Sequence, residues 1–139
     1  MKTICNFVDG KANEEDTSNY ISLYKPTTGE EYAQVPITSS DSFQKIIEKM
    51  KSAQITWSET PITKRSNILF KLKSLIEKNY DDISRIISEE HGKVFSDAKG
   101  SLQRGLEVVD FACGIPHLLK GNYSINVGTN VDSYDVRQP

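Results

Sequence analysis

One helical stretch limits what this chain can fold into more than any other. From about Ser96 to Leu119, the residues Leu102, Leu106, Val109 and Cys113 recur at i, i+4, i+7 and i+11 and share one face. Val108, Phe111 and Ile115 form a second apolar set that points the opposite way, and Arg104 lies within that second face. A helix that is apolar on two sides needs cover on two sides. A chain of 139 residues, enough for one ordinary domain, offers cover for one. Pro116 removes a backbone donor and should end or kink this helix near Ala112.

The rest of the composition fits an undersized core. Apolar residues make up 37% of the chain, charged residues 26%, and the net charge is −2. So small a charge, with both signs mixed, argues against nucleic acid as the main partner, because phosphate binding needs a concentrated basic surface. No apolar run approaches the roughly 20 residues a membrane helix needs. The first ten residues turn polar at Asn6, too early for a secretory signal. Cys5 and Cys113 are far apart without a CxxC partner, and the His residues are only two, so zinc-type spacing is absent. Reduced thiols are the expectation for an intracellular protein, with a disulfide as the alternative.

Local signals place the elements. Asp9-Gly10 reads as a two-residue hairpin turn after Phe7-Val8. Residues 11–19 are polar and read as loop. Ile21, Leu23 and Tyr24 suggest a strand, Pro26-Thr27-Thr28-Gly29 a turn, and Tyr32, Ala33 and Val35 a return strand ending at Pro36. Helix one is expected from about Asp41 to Ser58, with Ser39, Ser40 and Asp41 as capping oxygens and a stripe of Phe43, Ile46, Ile47, Met50, Ala53 and Trp57. Helix two is expected to open with Thr60 as N-cap and Pro61 as first helical residue. Its stripe is Ile62, Leu69, Leu72, Ile76, Ile83, Ile86 and Ile87, with a break possible at Asn79-Tyr80-Asp81-Asp82 and Gly92 as C-terminal cap. The segment 121–139 reads as a hairpin: Tyr123, Ile125 and Val127 alternate, Gly128-Thr129-Asn130 turns, and Val131 to Val136 returns.

Few residues stand out chemically. Arg104 is the one candidate functional residue. A guanidinium fork matches a carboxylate in two parallel hydrogen bonds; alternatively Arg104 is solvated or pairs with Glu107 at i+3. Cys113, on an apolar stripe, reads as a small buried hydrophobe. His91 reads as a solvated residue or a charge partner at a helix end, and His117 as packed or exposed. Lys64, Lys71, Lys73 and Lys78, interleaved with Glu77, read as a solvated helix face. Trp57 is spaced as a core residue. Gly100 and Gly105 lack the Lys-Ser/Thr that completes a phosphate loop.

Asn6-Phe-Val-Asp-Gly10, Lys25-Pro-Thr-Thr-Gly-Glu30, Val35-Pro36 and the helices after them resemble the entry to the aldehyde dehydrogenase superfamily. The more specific pieces are Glu90-His-Gly-Lys93, Arg104-Gly-Leu-Glu107, Gly114-Ile-Pro-His-Leu-Leu-Lys-Gly121, Asn126-Val-Gly-Thr129, Asp132-Ser-Tyr134 and Arg137-Gln-Pro139. They are similar to the branch that makes acyl-CoA from methylmalonate semialdehyde or malonate semialdehyde. The resemblance implies an α+β piece spanning 1–139: strands and turns over 1–40, about three helices over 41–120, and an oligomerisation-type hairpin over 121–139. It would be the N-terminal part of an aldehyde dehydrogenase fold, without the complete Rossmann and catalytic domains.

In that family NAD accepts a hydride from a thiohemiacetal on a Cys, CoA takes the acyl group, and the substrate carboxylate leaves as CO2. The resemblance puts Arg104 where this branch holds the substrate carboxylate. It gives this chain no catalytic, cofactor-binding or metal-binding residue. NAD and CoA belong to the full-length parent, with none expected on this piece, which is expected to be inactive alone. The expected partners are a second copy of the chain and, in the parent, a small semialdehyde, with no nucleic acid and no membrane. The expected location is the cytoplasm, or the mitochondrial matrix in a eukaryote, although no transit peptide is seen. The rival readings are a stand-alone helical interaction module and another branch of the superfamily acting on an uncharged aldehyde.

Overall fold

Asp9 and Gly10 adopt φ of 55° and 75°, the pair of left-handed conformations that a type I′ turn requires. They fold β2 (Asn6–Val8) back on β3 (Lys11–Asn13), so the strand extends three residues into the stretch expected to be loop. The computed structural model describes residues 2–15 and 17–138. Met1, Asp16 (within the expected loop) and Pro139 (the end of the expected tail hairpin) lie outside the described residues.

A second sheet has the order β1-β5-β4. β4 (Tyr20–Tyr24) and β5 (Glu31–Pro36) are antiparallel, joined by the expected turn with Gly29 at φ 74°. β1 (Lys2–Thr3) runs parallel to β5, with Lys2 opposite Ala33. Asn6 Nδ2 donates to Thr38 Oγ1 at 2.8 Å and ties β2 to the segment that follows β5.

Five helices follow among the described residues. α1 (Ser40–Glu59) is capped by Ser39, whose hydroxyl accepts from the Ser42 amide at 3.1 Å. Its apolar stripe is present but only partly covered, at Ile46 and Ile47. α1 contains no buried residue, Phe43 and Met50 are 58% and 61% exposed, and Trp57, expected in a core, is 40% exposed. α2 (Ile62–Lys78) starts one residue later than expected, with Pro61 in the N-cap position. Thr60 does not cap it, because its hydroxyl donates back to the Thr56 carbonyl of α1 at 2.9 Å. Asn79 separates α2 from α3 (Tyr80–His91), its side-chain amide turned back to the Leu75 carbonyl at 2.7 Å. Gly92 closes α3 at φ 68°, as expected.

α4 (Phe95–Cys113) packs against both α2 and α3. It ends at Cys113, and Pro116 sits in the first turn of the short α5 (Ile115–Leu118). The two faces of α4 separate as their spacing dictates. Leu106 and Cys113 are 5% and 6% exposed, whereas Val108 and Phe111 are both 68% exposed. Small residues allow the helices to approach: Ala98 of α4 and Ser84 of α3 are fully buried. The Ser84 hydroxyl has no hydrogen-bond partner among the described residues, so the position uses its size and not its polarity. On the other side, Ser66 of α2 donates to the Cys113 carbonyl at 2.8 Å, satisfying a carbonyl that the end of α4 leaves without an intrahelical partner.

Ion pairs reinforce these contacts. Lys73, expected on a solvated face, instead bridges helices, with Nζ 2.6 Å from Asp110 of α4 and 3.7 Å from Glu77. The hydrogen bond to Asp110 holds its ammonium above the ordinary lysine range. Lys99 reaches Asp81 at 2.7 Å and lies over the Phe95 ring at 4.9 Å from its centroid.

The tail is the expected hairpin, β6 (Tyr123–Gly128) and β7 (Val131–Tyr134), and every residue in it is exposed. Asn126 at φ 54° marks a bulge in β6. The Asp132 carboxylate accepts from the Tyr123 hydroxyl and from the Asn126 amide, which pins the bulge and holds this carboxyl below the usual aspartate range. At the base, the Asn122 amide and side chain both donate to Asp135 at 2.9 Å. A Cβ at Gly121 would collide with the Asp135 carbonyl there.

Candidate functional site

The site is built where α3 turns into α4. Gly92 ends α3 in the left-handed conformation, and the Ser88 hydroxyl donates to the Lys93 carbonyl at 2.7 Å. That bond fixes the backbone of Lys93 just before α4 begins. From there the half-buried Lys93 side chain runs back along α4 and donates to Ser101 Oγ at 3.0 Å. Arg104, one turn further along α4 and exposed, donates from Nη2 to the same oxygen at 3.2 Å. Tyr80 secures the start of α4 by donating to the Lys99 carbonyl at 2.7 Å.

Arg104 therefore lies where its helical position put it, on the open face with Val108 and Phe111. The i+3 pair with Glu107 is not formed; the guanidinium turns back to Ser101 instead. No carboxylate among the described residues lies within ion-pair distance of Arg104 or Lys93. The sequence assigns no role to Ser101 or to Lys93, although Lys93 ends the Glu90-His-Gly-Lys93 motif. Ser101 was within reach, since it stands at i−3 from Arg104 on an expected helix. Lys93 was not, because it lies in the α3–α4 junction, where helical spacing does not say what its side chain reaches.

The other singled-out residues stay apart from this cluster. Cys113 is buried and Cys5 half-buried, and neither forms a disulfide. A buried thiol in an apolar stripe is poorly placed to act as a nucleophile. His91 ends α3 and His117 lies in α5, both exposed. Gly100 and Gly105 are interior residues of α4 and not part of a strand–turn–helix loop. Among the described residues no group of three or more His, Cys, Asp or Glu could hold a metal ion, and no helix is long and apolar enough to cross a membrane.

Comparison with known proteins shows the family of the chain. The aldehyde dehydrogenase family matches over residues 13–139. Malonate-semialdehyde dehydrogenase of Pseudomonas aeruginosa is 40% identical over 139 residues, covering 100% of this chain and 28% of its own length. The acylating, mitochondrial methylmalonate-semialdehyde dehydrogenase of Arabidopsis thaliana is 38% identical over 134 residues, covering 96% of this chain and 22% of its own. The crystal structure of methylmalonate-semialdehyde dehydrogenase from Oceanimonas doudoroffii superposes with a TM-score of 0.93 at 41% identity, over 100% of this chain and 28% of that one. A Sinorhizobium meliloti structure solved with NAD gives a TM-score of 0.93 at 34% identity with the same coverage, 100% and 28%. The chain spans little more than a quarter of the length of most of these relatives. From the strand pairs at its start to the hairpin at its end, it belongs to the aldehyde dehydrogenase family.

Proposed function

We propose that the protein carrying this segment is an NAD-dependent, CoA-acylating dehydrogenase of methylmalonate or malonate semialdehyde. For methylmalonate semialdehyde the conversion balances as semialdehyde anion, CoA and NAD+ giving propionyl-CoA, CO2 and NADH. The observation that carries the reading is Arg104, a guanidinium on an open helix face with no acidic partner among the described residues, in a chain similar throughout to enzymes named for carboxylated aldehydes. A planar fork of N–H donors takes a carboxylate in two parallel bonds and holds the aldehyde end at a fixed distance from it. This chain's contribution is to bind and orient. The reactive cysteine and the dinucleotide cradle belong to other parts of the parent, which acts in the cytoplasm or, in a eukaryote, the mitochondrial matrix.

Self-association through the tail hairpin is part of the proposal. A two-stranded ribbon exposed on both faces and carrying Tyr123, Ile125, Val127, Val131 and Tyr134 has an open edge that another strand can pair. In sedimentation the 139-residue chain should run as a dimer or larger species at high concentration; a strictly monomeric boundary rules this out.

The activity test is a steady-state assay of the full-length dehydrogenase with malonate semialdehyde. NADH formation should require NAD+ and semialdehyde, and acetyl-CoA should appear in step with NADH when CoA is present. Free acetate or malonate as the product, with CoA without effect on the rate, would refute the acylating assignment.

A further inference from the structure

The geometry points to Lys93 as the second cation of the carboxylate site, and to Ser101 as the residue that positions both Lys93 and Arg104. The inference rests on the reading of Arg104 given above and extends it. A serine hydroxyl has two lone pairs and one proton. Both lone pairs of Ser101 are taken, one by the Lys93 ammonium at 3.0 Å and one by the Arg104 guanidinium at 3.2 Å. Only the proton remains to be offered. The three side chains therefore present donors and nothing else, an arrangement that accepts an anion and repels a cation.

Charge balance nearby makes the same point. Lys73, Arg85 and Lys99, on the same helical body, each have a carboxylate close by, at 2.6, 2.9 and 2.7 Å. Lys93 and Arg104 have none among the described residues, as is also true of Lys64, Arg65, Lys71 and Lys78; what sets Lys93 and Arg104 apart is that they converge on one oxygen. Two like charges brought together without an acid repel each other, and an anion set between them relieves the repulsion. A monocarboxylate fits this demand: one oxygen for the guanidinium, the other for the ammonium. Lys93 is half-buried and its backbone is fixed by Ser88, so the ammonium is held in place instead of sweeping through solvent.

The test uses the full-length dehydrogenase and the ratio of kcat/KM for malonate semialdehyde to that for propanal, which lacks the carboxylate. Lys93→Met should lower this ratio roughly 10-fold, mostly through KM, and Lys93→Arg should restore most of it. Ser101→Ala should lower it roughly fivefold, and Ser101→Thr, which keeps the hydroxyl, should leave it within about twofold. Equal losses on both aldehydes would make Lys93 and Ser101 structural and overturn the inference. A rise in the KM for CoA alone would assign the cations to a phosphate of that co-substrate and overturn it too. Arg104→Leu, measured alongside, separates the two levels: if it lowers the ratio while Lys93→Met does not, the Arg104 reading stands and this extension fails.

Discussion

Arg104→Leu in the full-length dehydrogenase lowers the preference for malonate semialdehyde over propanal by roughly 30- to 1000-fold. The figure follows from what the substitution leaves behind. A carboxylate brought into a covered site loses its water, and a bidentate guanidinium returns two charge-assisted hydrogen bonds. Removing the guanidinium while keeping the bulk of the side chain strands the substrate's charge, which costs about 2–4 kcal/mol in kcat/KM. Leu cannot form the Ser101 bond either, so no nearby donor takes over except Lys93. If the semialdehyde and propanal lose equally little, Arg104 does not hold the carboxylate, and the uncharged-aldehyde branch becomes the better reading.

The largest expected effect on stability lies two residues away, on the opposite side of the same helix. Leu106 is 5% exposed on the face of α4 shared with Cys113, and truncating it to Ala should cost about 2–5 kcal/mol through lost transfer energy and the cavity left behind. Val108, two residues on, is 68% exposed, and Val108→Ala should stay within about 0.5 kcal/mol. Denaturant unfolding of the 139-residue chain followed by helical circular dichroism measures both. Equal costs would mean that the two faces of α4 are not distinguished in solution. A loss of several kcal/mol is a large share of the total stability of a domain this size, and the buried apolar side chains among the described residues are few: Ala33, Ala98, Leu106 and Cys113.

What the sequence disclosed and what it withheld divides by distance along the chain. The Asp9-Gly10 turn, the Ser39 cap, the break at Asn79 and the left-handed Gly92 are each set by residues within a few positions of one another, and all were legible. The two opposed faces of α4 were legible for the same reason, since helical periodicity is local. β1 pairing parallel to β5, Lys73 reaching Asp110, and Ser66 meeting the Cys113 carbonyl join positions some 30 to 47 residues apart, and no local pattern announces them. Thr60 was misassigned because two helices compete for one hydroxyl, and α1 won it. The stripe on α1 was correctly seen, but periodicity tells which residues share a face and not whether anything lies against it. At the candidate site, the place of Arg104 on the open face of α4 was legible, while its company was half hidden: Ser101 one turn back, Lys93 in the junction before α4.

The base of the tail hairpin carries one further consequence. At Gly121 the backbone lies so near the Asp135 carbonyl that no side chain fits, and Asn122 and Asp135 lock the two strands together at that level. Beyond it, the side chains of both strands stand clear of the rest of the chain. The ribbon is therefore aimed from its root, as a signpost is aimed by its socket. Substitutions toward the tip can change what the ribbon grips without changing where it points, whereas any side chain at residue 121 would swing the whole ribbon to a new bearing.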